Sequence, residues 1–310
     1  MKTESKDCRD SITVVVPVRN RAGIVCRTLD SIAEQTYRPV RLIVVDNGST
    51  DSTLDVITDW ASRHRDKDFM VSVLSEPRPG ACRARNKGLD AVETEWTMFF
   101  DSDDLMAPGH IARAMSEADS DVDVVGWDYV LKTKNGKQKL RRFYQRDFIY
   151  NNLFHSMFGT VRYMARTSLF RRAGGWLDDA AMFDDAELGM RLLALNPCIR
   201  YAGPEITLTI LESESSIMTA RSGRLQSMHI ALDAMQRTMP ADTRHWVDLM
   251  RILMALTWAR HDAASGDYVR RIIDDTSGLR RHLWRFFAFY TRHGGRGVAH
   301  IYSLLRYLGF

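Results

Sequence analysis

The chain has 310 residues, 45% of them hydrophobic and 26% charged, so it can bury a large core and does not have the composition of a disordered or fibrous protein. Its four cysteines, Cys8, Cys26, Cys82 and Cys198, lie far apart without a C-x-x-C pair, which argues against a disulfide framework and a zinc site. The net charge is only +4. The first residues MKTESKDCRD lack the apolar core of a signal peptide, and no run approaches the roughly 18 apolar residues of a membrane span. We therefore expect a cytoplasmic protein.

The first half of the chain alternates between apolar runs and helical patterns. SITVVVP (11–17) and VRLIVVD (40–46) are typical of buried strands, and the segment between them has apolar residues at helical spacing. The pattern continues with a helix at 52–63, the strand FMVSVL, a helix at 81–92, the strand WTMFF, a helix after Pro108 and the strand VDVVGWDYV. Continuous apolar strands separated by helices predict an α/β fold with a mostly parallel sheet covered by helices on both faces.

Two of these predicted strands end in acidic residues. Asp46 closes VRLIVVD, and WTMFF leads directly to Asp101, Asp103 and Asp104. Ligands of such sheets bind beyond the carboxyl ends of the strands, so both acidic ends should line one crevice. The crowded carboxylates repel one another unless a cation or a positively charged ligand lies among them.

The loop after the first strand differs from two common nucleotide-binding motifs. PVRNRAG matches neither the G-x-G-x-x-G of dinucleotide-binding folds nor the G-x-x-x-x-G-K-[ST] of P-loops. Without a glycine cradle or a catalytic lysine, the charge of a diphosphate needs another partner. A divalent metal held by carboxylates of the DSD loop would supply it.

Four segments carry motifs in a characteristic order. They are VVVPVRNRAGIVCRTLDSIAEQTYRPVRLIVVDNGSTDST, RPGACRARNKGLDAV, FFDSDD and GGWLDDAAMFDDAELGMRL. Over about residues 11–215 the chain thereby resembles the inverting family 2 glycosyltransferases of GT-A fold. The resemblance implies a Rossmann-like sheet and transfer of a sugar from a nucleotide diphosphate to a hydroxyl of a glycan or lipid-linked acceptor.

The resemblance also implies a nucleotide site at the first two strand ends. Pro17 and Asp46 match positions that hold the base, and a carboxylate can accept a hydrogen bond from the N3–H of uracil, which favours a UDP donor. Arg19 stands where the family usually has an aromatic residue, and a guanidinium plane can also stack on a base. Asn47 stands where a second aspartate is common.

The diphosphate and metal positions follow from the next two motifs. Arg83 and Arg85 match positions that usually face the diphosphate, where a guanidinium makes planar contacts with phosphate oxygens; a solvated cationic face is the alternative. Asp103 matches the direct ligand of Mg²⁺ or Mn²⁺, and Asp101, with Ser102 beside it, matches a contact to ribose or the metal. The segment LTILESESSIMT contains no histidine for the third metal ligand that the family often has.

The last motif implies the catalytic base. Asp184 and Asp185 match the family's Glu-Asp pair, and the resemblance makes Asp185 the base that takes the proton of the acceptor hydroxyl. Capping of the following helix is the competing interpretation, because the helix dipole favours carboxylates at this end. Trp176, Asp179 and Asp184 are candidates for contact with donor or acceptor sugar, and a core position for Trp176 is nearly as well supported.

The resemblance ends near Met218, which predicts a catalytic domain at 1–218 and a helical region at 219–310 that docks on it. Residues 276–310 carry six Arg, eight aromatic residues and no Lys, Asp or Glu. This composition is typical of a segment that lies on an anionic membrane surface, and packing of the aromatics on the body is an equal alternative. No nucleic-acid motif accompanies the charge, so we expect a cytoplasmic protein, free or peripheral on the inner face of the membrane.

Two other functions fit parts of the sequence. A nucleotidyltransferase would need a glycine-rich, lysine-bearing loop after the first strand, which residues 17–20 do not provide. A catalytically degenerate relative that binds a nucleotide sugar or a membrane is compatible with the departures at Arg19, Asn47 and Asp184.

Overall fold

The computed structural model describes residues 11–211, 224–259 and 262–293. Its strands, in chain order, are β1 Ile12–Val18, β2 Val40–Asp46, β3 Phe69–Ser75, β4 Trp96–Phe99, β5 Leu105–Met106, β6 Val124–Gly126, β7 Tyr129–Lys132, β8 Gln138–Arg141, β9 Tyr163–Arg166, β10 Ile199–Tyr201 and β11 Leu208–Leu211. Its α-helices are α1 Val25–Ala33, α2 Thr53–His64, α3 Ala81–Asp90, α4 His110–Met115, α5 Phe148–His155, α6 Thr167–Arg172, α7 Asp184–Leu193, α8 Arg224–Thr238, α9 Arg244–Trp258, α10 Ala263–Asp275 and α11 Gly278–Arg292.

The main sheet has seven strands in the order β10-β6-β9-β4-β1-β2-β3. Every neighbouring pair is parallel except the two that involve β9. Successive residues of β1 enter different cores: Val14 and Val16 pack with α1 and α2 on one face, and Val15 packs with α3 and α7 on the other. The prediction of a mostly parallel sheet with helices on both faces is confirmed.

Helix α3 lies unusually close to the sheet. A Cβ atom at Gly88 would stand 2.3 Å from Cγ1 of Val15, so only glycine permits this approach. Close packing here fixes the helix that carries Arg83 and Arg85 against the central strand β1.

A smaller second sheet, in the order β5-β11-β7-β8, was not predicted. The single strand expected for VDVVGWDYV is wrong, because β6 joins the main sheet and β7 joins the small one. The chain turns between them at Asp128, whose carboxylate accepts hydrogen bonds from the backbone N–H of Phe143 at 2.6 Å and the hydroxyl of Tyr201 at 2.9 Å. A buried carboxylate with two donors holds the strand in this bend.

The C-terminal helices pack on the α/β body through a third core. Its buried members from the body are Leu153, Met182, Ala186 and Met190, and those from the C-terminal helices are Met228, Leu232, Met235, Met239, Val247, Met250 and Trp258. Helix α7 therefore has the main sheet on one side and the C-terminal helices on the other. The predicted boundary at 218 and 219 falls between the described ranges.

Helix α11 divides its aromatic residues between two faces. Phe287 is buried with α9 and α10, and Trp284 and Tyr290 pack against the same core. Phe286 and Phe289 are 55% and 62% exposed. The rest of the predicted basic tail, residues 294–310, lies outside the described ranges, and no described helix is both long and apolar enough to cross a membrane.

Candidate active site

Asp46 lies at the carboxyl end of β2 with an open hydrogen-bond acceptor. Its side chain is 3% exposed, and Oδ2 accepts a bond from the backbone N–H of Ser49 at 3.2 Å. Oδ1 is buried and has no hydrogen-bond partner among the described residues. Since buried acceptors are nearly always paired in folded proteins, Oδ1 is positioned to receive a donor from a ligand. Pro17 lies beside it, on β1 in register with Val45.

The loop after β1 is tied to the loop after β2. Arg19 is exposed, and the following Asn20 adopts a left-handed conformation with φ of 51°. The side-chain oxygen of Asn20 accepts a bond from the backbone N–H of Thr50 at 2.8 Å, and its own N–H donates to the hydroxyl of Ser49. These bonds hold the backbone beside the exposed Arg19 close to the loop that follows Asp46.

Asn47 holds the loop that leads to α3. Its amide nitrogen donates to the carbonyls of Glu76 at 3.0 Å and Arg78 at 2.7 Å, and its oxygen accepts from the N–H of Gly80 at 2.8 Å. A carboxylate has no donor for the two carbonyls. The departure at position 47 thus has a structural reason, because this loop needs an amide.

Arg85 joins the two acidic clusters. Its guanidinium is 6% exposed and donates to Asp184 at 2.9 Å and to Asp101 at 3.0 Å, while it stacks 4.4 Å above the Trp176 ring. Burial alone would lower the pKa of Arg85, but the two carboxylates raise it above its usual value. The predicted diphosphate contact of Arg85 stays a prediction, since both of its ends already bind carboxylates here.

Arg83 lies closer to the surface. It contacts Asp179 at 3.0 Å and Asp178 at 3.5 Å, so the predicted sugar-contact residue Asp179 lies beside a predicted diphosphate residue. Asn86 anchors the same loop with bonds to the backbone of Trp176 and to Asp178. The motif RPGACRARN therefore holds the loop before α7 against the start of α3.

The acidic loop after β4 brings like charges together. Asp103 has its pKa raised by burial and by the Asp101 carboxylate, and its nearest described cation is Arg21 at 3.7 Å. Asp104 is buried, and burial together with the carboxylates of Asp101 and Asp103 raises its pKa well above the usual range. Asp104 accepts a bond from the N–H of Leu211 at 3.1 Å, which ties the loop to β11. Ser102 is 8% exposed between the first two carboxylates.

This loop fits a hard divalent cation. Burial first, and then the Asp101 carboxylate, raise the pKa of Asp103, and the neighbouring Arg21 and Arg27 offset this only in part. Within the described ranges no three metal-ligating side chains surround one point. Magnesium and manganese sites in transferases often use one or two carboxylates, with water and substrate phosphate completing the shell, so Asp101 and Asp103 match that donor set.

Asp184 and Asp185 are the first two residues of α7. The N-cap residue is Phe183, whose side chain makes no capping hydrogen bond. Asp184 accepts from Arg85, and Asp185 accepts from the N–H of Ala186 at 2.7 Å. Burial and the neighbouring Asp184 raise the pKa of Asp185 to about 7. A carboxyl with a pKa near neutrality can exchange protons there, and its bond to the first-turn N–H of Ala186 also suits a capping role, so both interpretations of Asp185 stay predictions.

Trp176 occupies a core position. It is 3% exposed, packs edge-on against Phe99 with ring centroids 5.1 Å apart, and is covered by Arg85. The Trp176 ring is therefore not an exposed platform for a sugar in this structure. It would become accessible there only if Arg85 moved. The core interpretation is the one that the structure favours.

Three further residues near the predicted base and metal loop belong to none of the sequence motifs. Tyr163 is fully buried, its hydroxyl has no described partner, and its pKa is raised by burial and by Asp185. Burial also raises the pKa of Tyr129, with Asp104 and Asp185 acting in the same direction. Arg162 lies beneath the Tyr129 ring at 5.0 Å. No sequence signal marked them, because they lie on or beside short strands outside the quoted motifs.

Comparison with known proteins identifies the family. The sequence pattern of Glycosyl transferase family 2 matches residues 13–174, a little over half of the chain. The putative glycosyltransferase EpsH of Bacillus subtilis is 27% identical over 170 residues, which cover 53% of this chain and 47% of EpsH. The chain spans between 14% and 61% of the length of eight curated relatives that it matches.

Solved structures agree on the fold. Residues 1–349 of TarS from S. aureus, in complex with UDP-GlcNAc, align with a TM-score of 0.66 at 17% identity, over 95% of this chain and 92% of that one. The mannosyltransferase PcManGT from Pyrobaculum calidifontis, in complex with GDP-Man and Mn²⁺, aligns with a TM-score of 0.58 at 20% identity, over 91% and 85%. The chain has the GT-A fold and belongs to glycosyl transferase family 2.

Proposed function

We propose that this protein is an inverting, metal-dependent glycosyltransferase that moves a sugar from a nucleotide diphosphate, with UDP as the favoured nucleotide, to a hydroxyl of a glycan or lipid-linked acceptor. The observation that carries the proposal is the bridge made by Arg85. Arg85 donates to Asp101 of the predicted metal loop and to Asp184, the neighbour of the predicted base Asp185, so one guanidinium links the two predicted groups. The leaving diphosphate at the metal loop and the attacking hydroxyl at the base would then lie close enough to react.

The chain's own residues divide the work. Asp46 would bind the nucleotide's uracil ring, because its unpaired Oδ1 can accept a hydrogen bond from the imide N–H of uracil. Pro17 and Arg19 would border the same ring. Asp185 would accept the proton of the attacking hydroxyl, since its pKa of about 7 leaves a large ionised fraction at neutral pH. Asp101 and Asp103 would hold Mg²⁺ or Mn²⁺, which when bound offsets negative charge on the leaving diphosphate.

The test is release of UDP or GDP from a panel of donor sugars with and without Mn²⁺. Asp103→Asn removes one metal ligand and relieves repulsion, so it should abolish transfer and metal-dependent UDP binding while the melting temperature stays at or above that of the wild type. Asp68→Asn is the matched control, because Asp68 is exposed and lies just before the amino end of β3, whereas Asp103 follows the carboxyl end of β4. Full activity in the presence of a chelator would reject the metal-dependent mechanism.

We propose as well that α11 contacts an anionic membrane surface. The support is its solvent-facing side, which combines Phe286 and Phe289 with Arg285 and Arg292. Aromatic rings and arginine on one exposed helix face suit the boundary between lipid head groups and acyl chains.

A further inference from the structure

A hollow that we call the basic cleft lies between β7, β8 and α5. Its volume is about 430 Å³, and its described lining contains no Asp or Glu. The polar and aromatic residues of this lining that matter here are Arg141, Arg142, Arg162, His155, Tyr129 and Tyr144. Three arginines without a carboxylate in the same lining give the hollow a strong positive potential.

Arg162 is the buried charge of this lining. It is 2% exposed, and it donates to the carbonyls of His155 at 2.8 Å, Ser156 at 2.7 Å and Arg142 at 2.5 Å. Within the described ranges it forms no ion pair, and its Nε has no hydrogen-bond partner. Asp128 is the carboxylate that acts on it most strongly, and that group is already bonded to Phe143 and Tyr201. Neutral carbonyls and the face of Tyr129 hold this cation, and they leave its positive charge available to attract an anion.

The hairpin above the cleft extends the positive surface. Residues 129–142 contain no acidic side chain, and their six basic residues are Lys132, Lys134, Lys137, Lys139, Arg141 and Arg142. Of these, Arg141 and Arg142 line the cleft. An approaching polyanion would therefore meet a continuous field that leads into the hollow.

The basic cleft neighbours both the acidic loop after β4 and the helix that carries the predicted base. Tyr129 of its lining is within electrostatic range of both Asp185 and Asp104. Helix α5, which contributes His155, is bonded to α7 through Asn152 and the carbonyl of Ala186 at 2.8 Å. The acceptor of a transfer reaction must reach the base, and an acceptor bound in this hollow would lie against α5, which is bonded to the helix of Asp185.

We propose that the basic cleft binds an anionic group, a phosphate or a carboxylate, on the acceptor glycan. The proposal rests on the proposed function and names the class of its acceptor. Arginine forks match both oxyanions in a planar, two-bond geometry, and the rings of Tyr129 and Tyr144 offer faces to the sugar units between the charges. The donor's diphosphate is served separately, by the loop of Asp101 and Asp103.

The experiment measures binding of three short oligomers to the full-length protein by calorimetry. The oligomers are a poly(glycerol phosphate), an oligogalacturonate and a neutral galactose oligomer of the same length. We expect the wild type to bind at least one anionic oligomer, and the preferred one separates phosphate from carboxylate recognition. Arg141→Gln with Arg142→Gln should weaken that binding by about tenfold or more, because charge-assisted bonds are lost.

The matched control is Lys137→Gln with Lys139→Gln, which removes two charges from the same hairpin outside the lining. Equal loss in both double variants would overturn the proposal, because it would mean general attraction by the hairpin. Equal affinity of the wild type for charged and neutral oligomers would overturn it as well. UDP binding, followed in the same preparations, reports on the proposed function independently, since neither pair touches Asp46 or Asp103.

Discussion

At the scale of single residues, Asp185 shows how burial prepares a carboxyl for proton transfer. Burial and Asp184 hold its pKa at about 7, whereas the ordinary value is 3.8. The folded protein therefore favours the neutral form, and ionisation of Asp185 lowers stability as the pH rises from about 4 to about 7. A group that is costly to ionise is also one that readily takes up a proton from a hydroxyl.

Asp185→Asn separates the base from the other roles. General-base assistance contributes about 100-fold to 10,000-fold in rate, so we expect turnover to fall by at least that factor while UDP binding is kept. Wild-type turnover should decline as the pH falls through about 7, because the base must be ionised. At pH 8 the variant should melt no lower than the wild type. Asp184→Asn is the comparison, and near-normal transfer by Asp185→Asn would move the base to another carboxylate, with Asp179 next to test.

Asn47→Asp tests whether position 47 requires a donor. The substitution sets a carboxylate oxygen against the carbonyls of Glu76 and Arg78, so we expect the free energy of unfolding to drop by about 1–3 kcal/mol. Chemical denaturation measures the change. Asn135→Asp, at an exposed turn, makes the same change in charge and should have little effect. Equal stability of the two variants would show that the loop before α3 does not depend on the amide.

At the scale of elements, α11 combines a buried face with an exposed one. Phe286→Ser with Phe289→Ser should leave the fold intact, because both rings are exposed, and should weaken binding to phosphatidylglycerol vesicles. Each arginine near such a surface contributes about 1 kcal/mol, so added salt should weaken binding further. Met70→Ser with Leu54→Ser removes exposed apolar side chains elsewhere and is the control. An intact protein that ignores vesicles would leave packing as the only role of this helix.

The strands and helices of the main sheet were predictable because each has a strong local pattern. β1 and β2 are continuous apolar runs, and the apolar spacing of α1 and α2 repeats at helical intervals. The small sheet was missed because its strands are short, and because β8 is exposed along its whole length and has no apolar pattern. The bend at Asp128 depends on donors 15 and 73 residues away, which local patterns do not contain.

At the scale of the whole molecule, the site could be predicted as separate motifs but not as an assembly. Asp46 and Asp101 follow apolar strands, and Asp185 stands at a helix start, so position alone marked them as candidates. The bridge through Arg85 joins residues 16 and 99 positions away, and the basic cleft draws on β7, β8 and α5. Such contacts arise only when the two sheets and the helices between them pack together.

The core between α7 and the C-terminal helices is built largely from thioethers. Its methionines are Met182, Met190, Met228, Met235, Met239 and Met250. Methionine adapts its shape to irregular gaps, and oxidation converts it into a polar sulfoxide that no longer fits an apolar contact. Because these side chains are at most 5% exposed, an oxidant reaches them only when the C-terminal helices open away from α7. The rate at which dilute peroxide converts them to sulfoxides would therefore measure how often the support behind the helix of Asp185 opens.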